Sequence, residues 1–131
     1  MISADSEQPH YKTQFTNGKS VSFSDTTFDK GGSGAGFRPH DLLEAALASC
    51  MNMSIRMFAQ EHAIPLFSVS TTVTLDRSTP DETCFEYRVK LSGDLSAVDR
   101  KRLIDVTTSC PVRRTLSQKL TFREHSCDGQ I

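Results

Sequence analysis

Residues 38–61 read Arg38-Pro39-His40-Asp41-Leu42-Leu43-Glu44-Ala45-Ala46-Leu47-Ala48-Ser49-Cys50-Met51-Asn52-Met53-Ser54-Ile55-Arg56-Met57-Phe58-Ala59-Gln60-Glu61. Pro39 suits the first turn of a helix, where its missing N–H costs nothing. The pattern predicts a helix from about His40 to Glu61, about 33 Å long at 1.5 Å per residue. Its apolar residues, from Leu42 through Phe58, surround the cylinder over the middle turns. A helix that is apolar on all sides is a buried one. A chain of 131 residues cannot easily wrap such a helix alone. A second subunit covering the remaining face, in a homodimer, is the natural expectation.

Upstream of the helix, residues 24–36 read as a loop, loosest at Gly31-Gly32-Ser33-Gly34-Ala35-Gly36. Those glycines lack the G-x-G-x-x-G spacing, so they indicate flexibility rather than a nucleotide site. Residues 11–16 and 19–23 flank Asn17-Gly18, the signal of a type I′ hairpin. Residues 1–10 read as a polar tail. Downstream, Pro65 stops the helix. Phe67 to Leu75 and Phe85 to Leu91 alternate apolar and polar residues, which predicts two half-buried strands around a turn at Thr79-Pro80-Asp81. Ser96 caps a second helix reaching about Thr108, with Asp99 as the capping-box partner. Cys110 to Leu116 opens a short third helix. Leu120, Phe122 and Glu124 read as a closing strand, and residues 126–131 as a tail. Strands and helices come in blocks, so the fold class is α+β, mainly antiparallel, in one domain over residues 11–125.

Composition is that of an ordinary soluble globular protein, 37% hydrophobic and 24% charged. A net charge of −1 indicates neither a nucleic-acid partner nor an acidic membrane surface. Arg100, Lys101 and Arg102 read as a solvated helix face. The polar, acidic start does not resemble a secretory leader. The apolar stretch from Leu42 to Met51 is too short to span a bilayer. A cytoplasmic location with reduced thiols is the expectation. The four cysteines, Cys50, Cys84, Cys110 and Cys127, contain no C-x-x-C pair, and the histidines lack ligand spacing. No metal and no cofactor is called for. Asn52-Met53-Ser54 matches a glycosylation sequon but falls inside the helix and is set aside.

Cys50 has two readings. It is a small buried hydrophobe, as most buried cysteines are, or a nucleophile that burial holds back by raising its pKa. Cys110 precedes a proline fitted to the first position of a helix, so its thiol lies at a helix N-terminus. Free N–H groups, the dipole and the nearby Arg113 and Arg114 all favour a thiolate there. Cys84 and Cys127 read as bystanders.

The segment Arg38 to Cys50 resembles the central helix of the OsmC/Ohr family, in which a P-E-x-L-x-x-A-x-x-x-C pattern carries a peroxide-attacking cysteine. Cys110-Pro111-Val112-Arg113-Arg114-Thr115-Leu116 resembles the family's second signature, where C-P-V opens a helix. The resemblance covers residues 11–125. It implies an OsmC-like fold and an intertwined homodimer whose two long helices lie back to back, each site being built by both subunits. It also implies the chemistry. Cys50 attacks an organic hydroperoxide or, less well, hydrogen peroxide, and becomes a sulfenic acid; Cys110 then closes a disulfide, and an external dithiol resets the pair. Leu43, Leu47, Met53, Met57 and Phe58 would supply the apolar wall for the substrate.

The chain departs from that pattern at one pairing. Peroxidatic members place a glutamate ten residues before the attacking cysteine, paired with an arginine from an early strand or loop. Here that position is His40, with Glu44 one turn on, and no arginine precedes Arg38. Arg38, Arg113 or Arg114 could supply the cation, Arg38 being favoured because it enters the cysteine helix and could cross to a partner. His40 could act as a base or partner. The missing pairing favours a second reading, a non-catalytic dimer that binds a small apolar ligand or senses redox state through the two cysteines.

Overall fold

The computed structural model describes residues 1–125. Cys127 lies outside the described residues. The expected elements from the hairpin to the third helix are present, in the α+β order. The hairpin strands β2 (Thr13–Thr16) and β3 (Val21–Ser24) pair antiparallel, and a further strand β1 (Ser3–Ser6) pairs with β2. The first ten residues are therefore not simply a tail. Polar side chains hid the strand, because β1 gains ladder hydrogen bonds on an edge whose faces are solvated.

The turn between β2 and β3 is longer than the two-residue type I′ form. Pairing stops at Thr16 opposite Val21. The Asn17 carboxamide accepts from the N–H groups of both Lys19 and Ser20, at 2.9 and 2.8 Å, which holds a four-residue loop. Gly18 sits in it at φ +94°, a value that favours glycine.

The glycine-rich loop that follows is tied down rather than loose. Asp25 is almost fully buried, and its carboxylate accepts from Tyr11 N, Thr26 N, Ser33 N, Ser33 Oγ and Ala35 N at 2.6–3.1 Å. The Ser33 hydroxyl is the largest cause holding this carboxyl well below the usual carboxylate range. Its glycines permit close backbone approach: a Cβ on Gly36 would stand 2.4 Å from the Phe23 carbonyl oxygen. The loop delivers the chain to the long helix at a fixed point.

That helix, α1, runs Pro39–Glu61. It packs on a two-stranded antiparallel sheet made of β4 (Leu66–Asp76) and β5 (Cys84–Gly93). Leu47, Met51, Ile55 and Ala59, four residues apart, form its buried stripe. A neighbouring stripe is hydrogen-bonded to β4. Glu44 Oε2 accepts from Leu75 N at 2.8 Å, the Ala48 carbonyl accepts from Thr71 Oγ1 at 2.8 Å, and Asn52 Nδ2 donates to the Val69 carbonyl at 3.0 Å. These positions are again four apart, so one line of the helix runs along one strand.

The rest of α1 is not enclosed within the chain. Leu43, Met53 and Met57 are 45%, 51% and 66% exposed. The reading of a helix apolar on all sides is right in sequence. Burial by this chain alone covers only one stripe.

Helix α2 (Ala97–Asp105) starts at Ser96, whose Oγ accepts from Asp99 N at 3.1 Å. It stops three residues before the expected end. Residues Val106–Ser109 tighten into a 3₁₀ turn, where the hydroxyls of Thr107, Thr108 and Ser109 bond back to carbonyls three residues earlier. Leu103, fully buried against Ile55, Ala59 and Ile64, anchors α2 to the lower core. The turn hands the chain to Cys110, the N-cap of α3 (Pro111–Leu116).

The closing strand expected at Leu120 to Glu124 is not formed. Residues 119–125 have no regular structure, and Phe122 is 98% exposed. Among the described residues, this segment pairs with neither sheet.

Candidate active site

The tertiary structure brings Cys50 and Cys110 together across 60 residues of chain. Cys110 is buried with Leu47 and Met51, and Cys50, Val73, Phe85 and Val112 pack against that cluster. Cys50 is half-buried and Cys110 buried, and both are free thiols. The backbone N–H of Val112 donates to Cys50 Sγ at 3.5 Å. Val112 is the second residue of α3, so its N–H is one of those left without an intrahelical partner. The open end of α3 thus serves Cys50.

This reverses the expected electrostatics of Cys110. Its thiol was expected to be ionised by the helix N-terminus. Instead, burial pushes it above the usual cysteine range, and the neighbouring Cys50 adds to the rise, while Arg113 pulls the other way. The Arg113 backbone N–H in the first turn of α3 still acts on this thiol, but burial outweighs it.

Of the cations, Arg38 does not serve the thiols of its own chain. It caps α1: its N–H donates to Asp41 Oδ2 at 2.9 Å and its guanidinium pairs with Asp41 Oδ1 at 2.8 Å. It lies twelve residues from Cys50, about 18 Å along the helix axis. Arg114 is exposed. His40 is exposed beside Asp41, about 15 Å along the axis from Cys50. Glu44 is committed to the Leu75 amide. None of these four is brought to Cys50 within one chain.

Arg113 is the cation at the site. Its Nη1 donates to Tyr87 Oη at 3.0 Å, and its guanidinium lies over the Tyr87 ring, 5.5 Å from the centroid. Toward a phenolate both Thr107 and Arg113 donate, so Tyr87 titrates below the ordinary phenol value against the opposing effect of burial. A cavity of about 250 Å³ lies here, lined by Leu47 and Met51 of α1, Thr83, Phe85 and Tyr87 of the sheet, and Arg113, Leu116 and Ser117. Neither sulfur lines it; Cys110 lies behind the Leu47–Met51 wall. The expected apolar wall is divided. Leu47 belongs to this cavity, Met57 and Phe58 to a separate groove with Arg102, Met53 to a third depression, and Leu43 faces out. Tyr87 and Phe85 were legible only as strand residues, since alternation marks the inner face but not what it faces.

Two signature cysteines in contact, on a long helix against an antiparallel sheet, match the OsmC-like protein family model, which covers residues 31–125. The chain belongs to the OsmC-like family. Solved OsmC-like structures share its fold. An OsmC like protein from Mycoplasma pneumoniae is 20% identical with a TM-score of 0.75, over 88% of this chain and 85% of that one. A candidate osmotic stress induced and detoxification response protein from Psychrobacter arcticus is 23% identical, with a TM-score of 0.73 over 87% and 85%. An organic hydroperoxide resistance protein OsmC from Legionella pneumophila is 21% identical, with a TM-score of 0.65 over 89% and 88%. No curated protein matches the sequence. Among the described residues, no helix of this OsmC-like chain is long and apolar enough to cross a membrane.

Proposed function

We propose that this protein is a thiol-dependent peroxidase that reduces organic hydroperoxides through Cys50 and Cys110. The observation that carries the reading is the paired thiols, with the Val112 amide on Cys50 Sγ. Cys50 is the attacking residue. The Val112 N–H at the start of α3 donates to its sulfur, whereas burial pushes the Cys110 thiol above the usual cysteine range. The Cys50 thiolate forms an S–O bond to the distal peroxide oxygen. The O–O bond breaks, and the leaving oxygen takes a proton to give an alcohol. Cys110 then condenses with the Cys50 sulfenic acid, releasing water and leaving a disulfide. An external dithiol reduces it by exchange. Structural relatives carrying the name organic hydroperoxide resistance protein, from Legionella pneumophila and Elizabethkingia anophelis, agree with this chemistry.

The working unit is a cytoplasmic homodimer. At 100° per residue, Cys50 lies in line with Leu43 and Met57, which are exposed on that face of the helix. A second copy laid on that face would close the site around the thiol, and Arg38 could then reach it from the partner. No nucleic-acid or membrane partner and no cofactor is part of this reading, and its single domain takes in β1 (Ser3–Ser6) with residues 11–125.

One observation favours a different reading. The cavity is lined by neither sulfur, as a non-catalytic apolar-ligand site would be. Mixing reduced protein with cumene hydroperoxide and measuring peroxide loss beside free thiols separates the two. The peroxidase reading expects stoichiometric loss of two thiols and turnover with dithiothreitol. Intact thiols with bound, unreduced peroxide would overturn it.

A further inference from the structure

The cavity of about 250 Å³ beside α3 takes no part in the thiol chemistry, since neither sulfur lines it. Its composition is nonetheless selective. Leu47 and Met51 of α1, Phe85 of β5 and Leu116 of α3 give it apolar walls. Thr83, Tyr87 and Ser117 add hydroxyls, and Arg113 adds a single positive charge. No aspartate or glutamate lines it.

The arginine is fixed but not neutralised. Among the described residues, no carboxylate lies within ion-pair distance of Arg113, whereas Arg38 and Arg102 are each paired with an aspartate. Arg113 is half-buried. Its guanidinium stands over the Tyr87 ring, and Nη1 donates to Tyr87 Oη at 3.0 Å. That oxygen lies 3.5 Å from Oγ1 of the fully buried Thr107. One phenol oxygen occupies only part of a five-donor fork. A half-buried cation held by neutral groups gains from an anion brought to it.

The surroundings select the anion. One planar fork matches one carboxylate, and a single charge suits a monoanion better than a phosphate dianion. The apolar walls require a body that buries hydrocarbon. The volume falls below the ~300–1,000 Å³ of sites for drug-sized ligands, so the body is short. The larger groove at Met57, Phe58 and Arg102 is a poorer candidate, because Glu61 and Asp105 line it and repel an anion.

We propose that this cavity is a binding site for a short apolar monocarboxylate, separate from the thiol pair, and that filling it slows reaction at Cys110. The ligand is not a peroxide, and the proposal stands whether or not the peroxidase reading does. The link to Cys110 is the shared wall: Leu47 and Met51 line the cavity on one side and bury Cys110 on the other. Arg113 also acts on Cys110, through its charge and its backbone N–H, in the sense that favours the thiolate. A bound carboxylate cancels that charge and packs the wall from behind, so both effects hold the thiol back.

The test uses the full-length reduced protein without peroxide. Calorimetric titration compares hexanoate with acetate, 1-hexanol and inorganic phosphate. Hexanoate should saturate one site per chain. Acetate lacks the apolar body and 1-hexanol the charge, so each should bind about tenfold or more weakly, and phosphate no better than acetate. Arg113→Met should weaken hexanoate by about tenfold or more, the size of a charge-assisted hydrogen bond. Arg113→Lys should keep part of the affinity, and Arg102→Met should keep all of it. Circular dichroism checks that each variant folds. Iodoacetamide alkylation, mapped by mass spectrometry, should slow severalfold at Cys110 in saturating hexanoate, with the exposed Cys84 unchanged as the internal reference. No saturation by about 10 mM hexanoate would overturn the site. Equal binding of 1-hexanol or phosphate would overturn it on wild type alone, even if Arg113→Met failed to fold. Equal losses in Arg102→Met and Arg113→Met would place the ligand elsewhere and overturn it too. An unchanged Cys110 rate with hexanoate bound would overturn the link to the thiol.

Discussion

Leu103→Ala tests whether the lower core holds the resolving cysteine in place. Leu103 is fully buried against Ile55, Ala59 and Ile64, with Phe58, Val89 and Leu91 partly buried around it. The substitution removes three carbons. At about 0.8 kcal/mol per buried methylene the transfer loss is about 2.4 kcal/mol. The enclosing side chains come from α1, β4 and β5, which hydrogen bonding and sheet pairing hold apart, so the void cannot fully collapse. The cavity left behind brings the total to about 3–4 kcal/mol. With a urea dependence of about 1.5–2 kcal/mol/M, the midpoint falls by about 2 M. Urea unfolding followed by circular dichroism, at one protein concentration for both variants, gives the number. The consequence for function follows from α2, whose end runs through the 3₁₀ turn to Cys110. Loosening it should expose Cys110, so a thiol reagent such as dithionitrobenzoate should modify it faster than in wild type. Val98→Ala, at a position 69% exposed on the same helix, should change stability by less than about 0.5 kcal/mol. A loss below about 1 kcal/mol for Leu103→Ala, with unchanged Cys110 reactivity, would refute the claim that this core anchors the site.

Other expectations concern charge and roles. Because burial raises the Cys110 pKa, its contribution to stability is present below the unfolded cysteine value and lost as pH rises through the folded one; thermal melts of Cys110→Ala should therefore show a weaker alkaline decline than wild type, and equal declines would contradict the assignment. Asp25 has the opposite sign, since its folded pKa is lowered: its stabilisation is present above the unfolded carboxylate value and fades as pH falls through the folded one. Asp25→Asn places an amide against a ring of donors, and should lower the melting temperature at pH 7 with a smaller difference at pH 2–3; proteolysis within residues 26–36 reports the same loss. Cys50→Ser should consume no peroxide, while Cys110→Ser should react once and leave a sulfenic acid that dimedone traps and mass spectrometry counts. Glu44→Ala frees the Leu75 amide and should cost about 1–2 kcal/mol in urea unfolding without altering the pH dependence of Cys50 alkylation; a shifted profile would return Glu44 to the thiol.

Local rules carried most of the architecture. Pro39, the apolar run to Phe58 and Pro65 bounded α1 because helix start, burial and stop are written in nearby residues. Alternation at Val69, Val73, Val89 and Leu91 marked the inner face of the sheet for the same reason, and the two cysteine signatures pointed to the OsmC-like fold. Tertiary structure alone decided where each charge works. Arg38 turned to Asp41 one turn away, Glu44 to an amide of β4, and Cys110 was buried, while the Val112 N–H of α3 met Cys50. Which of two adjacent arginines lines the cavity was decided by the placement of α3, which follows the 3₁₀ turn. Tyr87 became part of the site only when β5 was laid beside α3, 26 residues further along the chain at Arg113. Hydrogen bonds and ion pairs form between groups that packing brings within about 3 Å, and such distances are properties of the folded chain rather than of any segment within it.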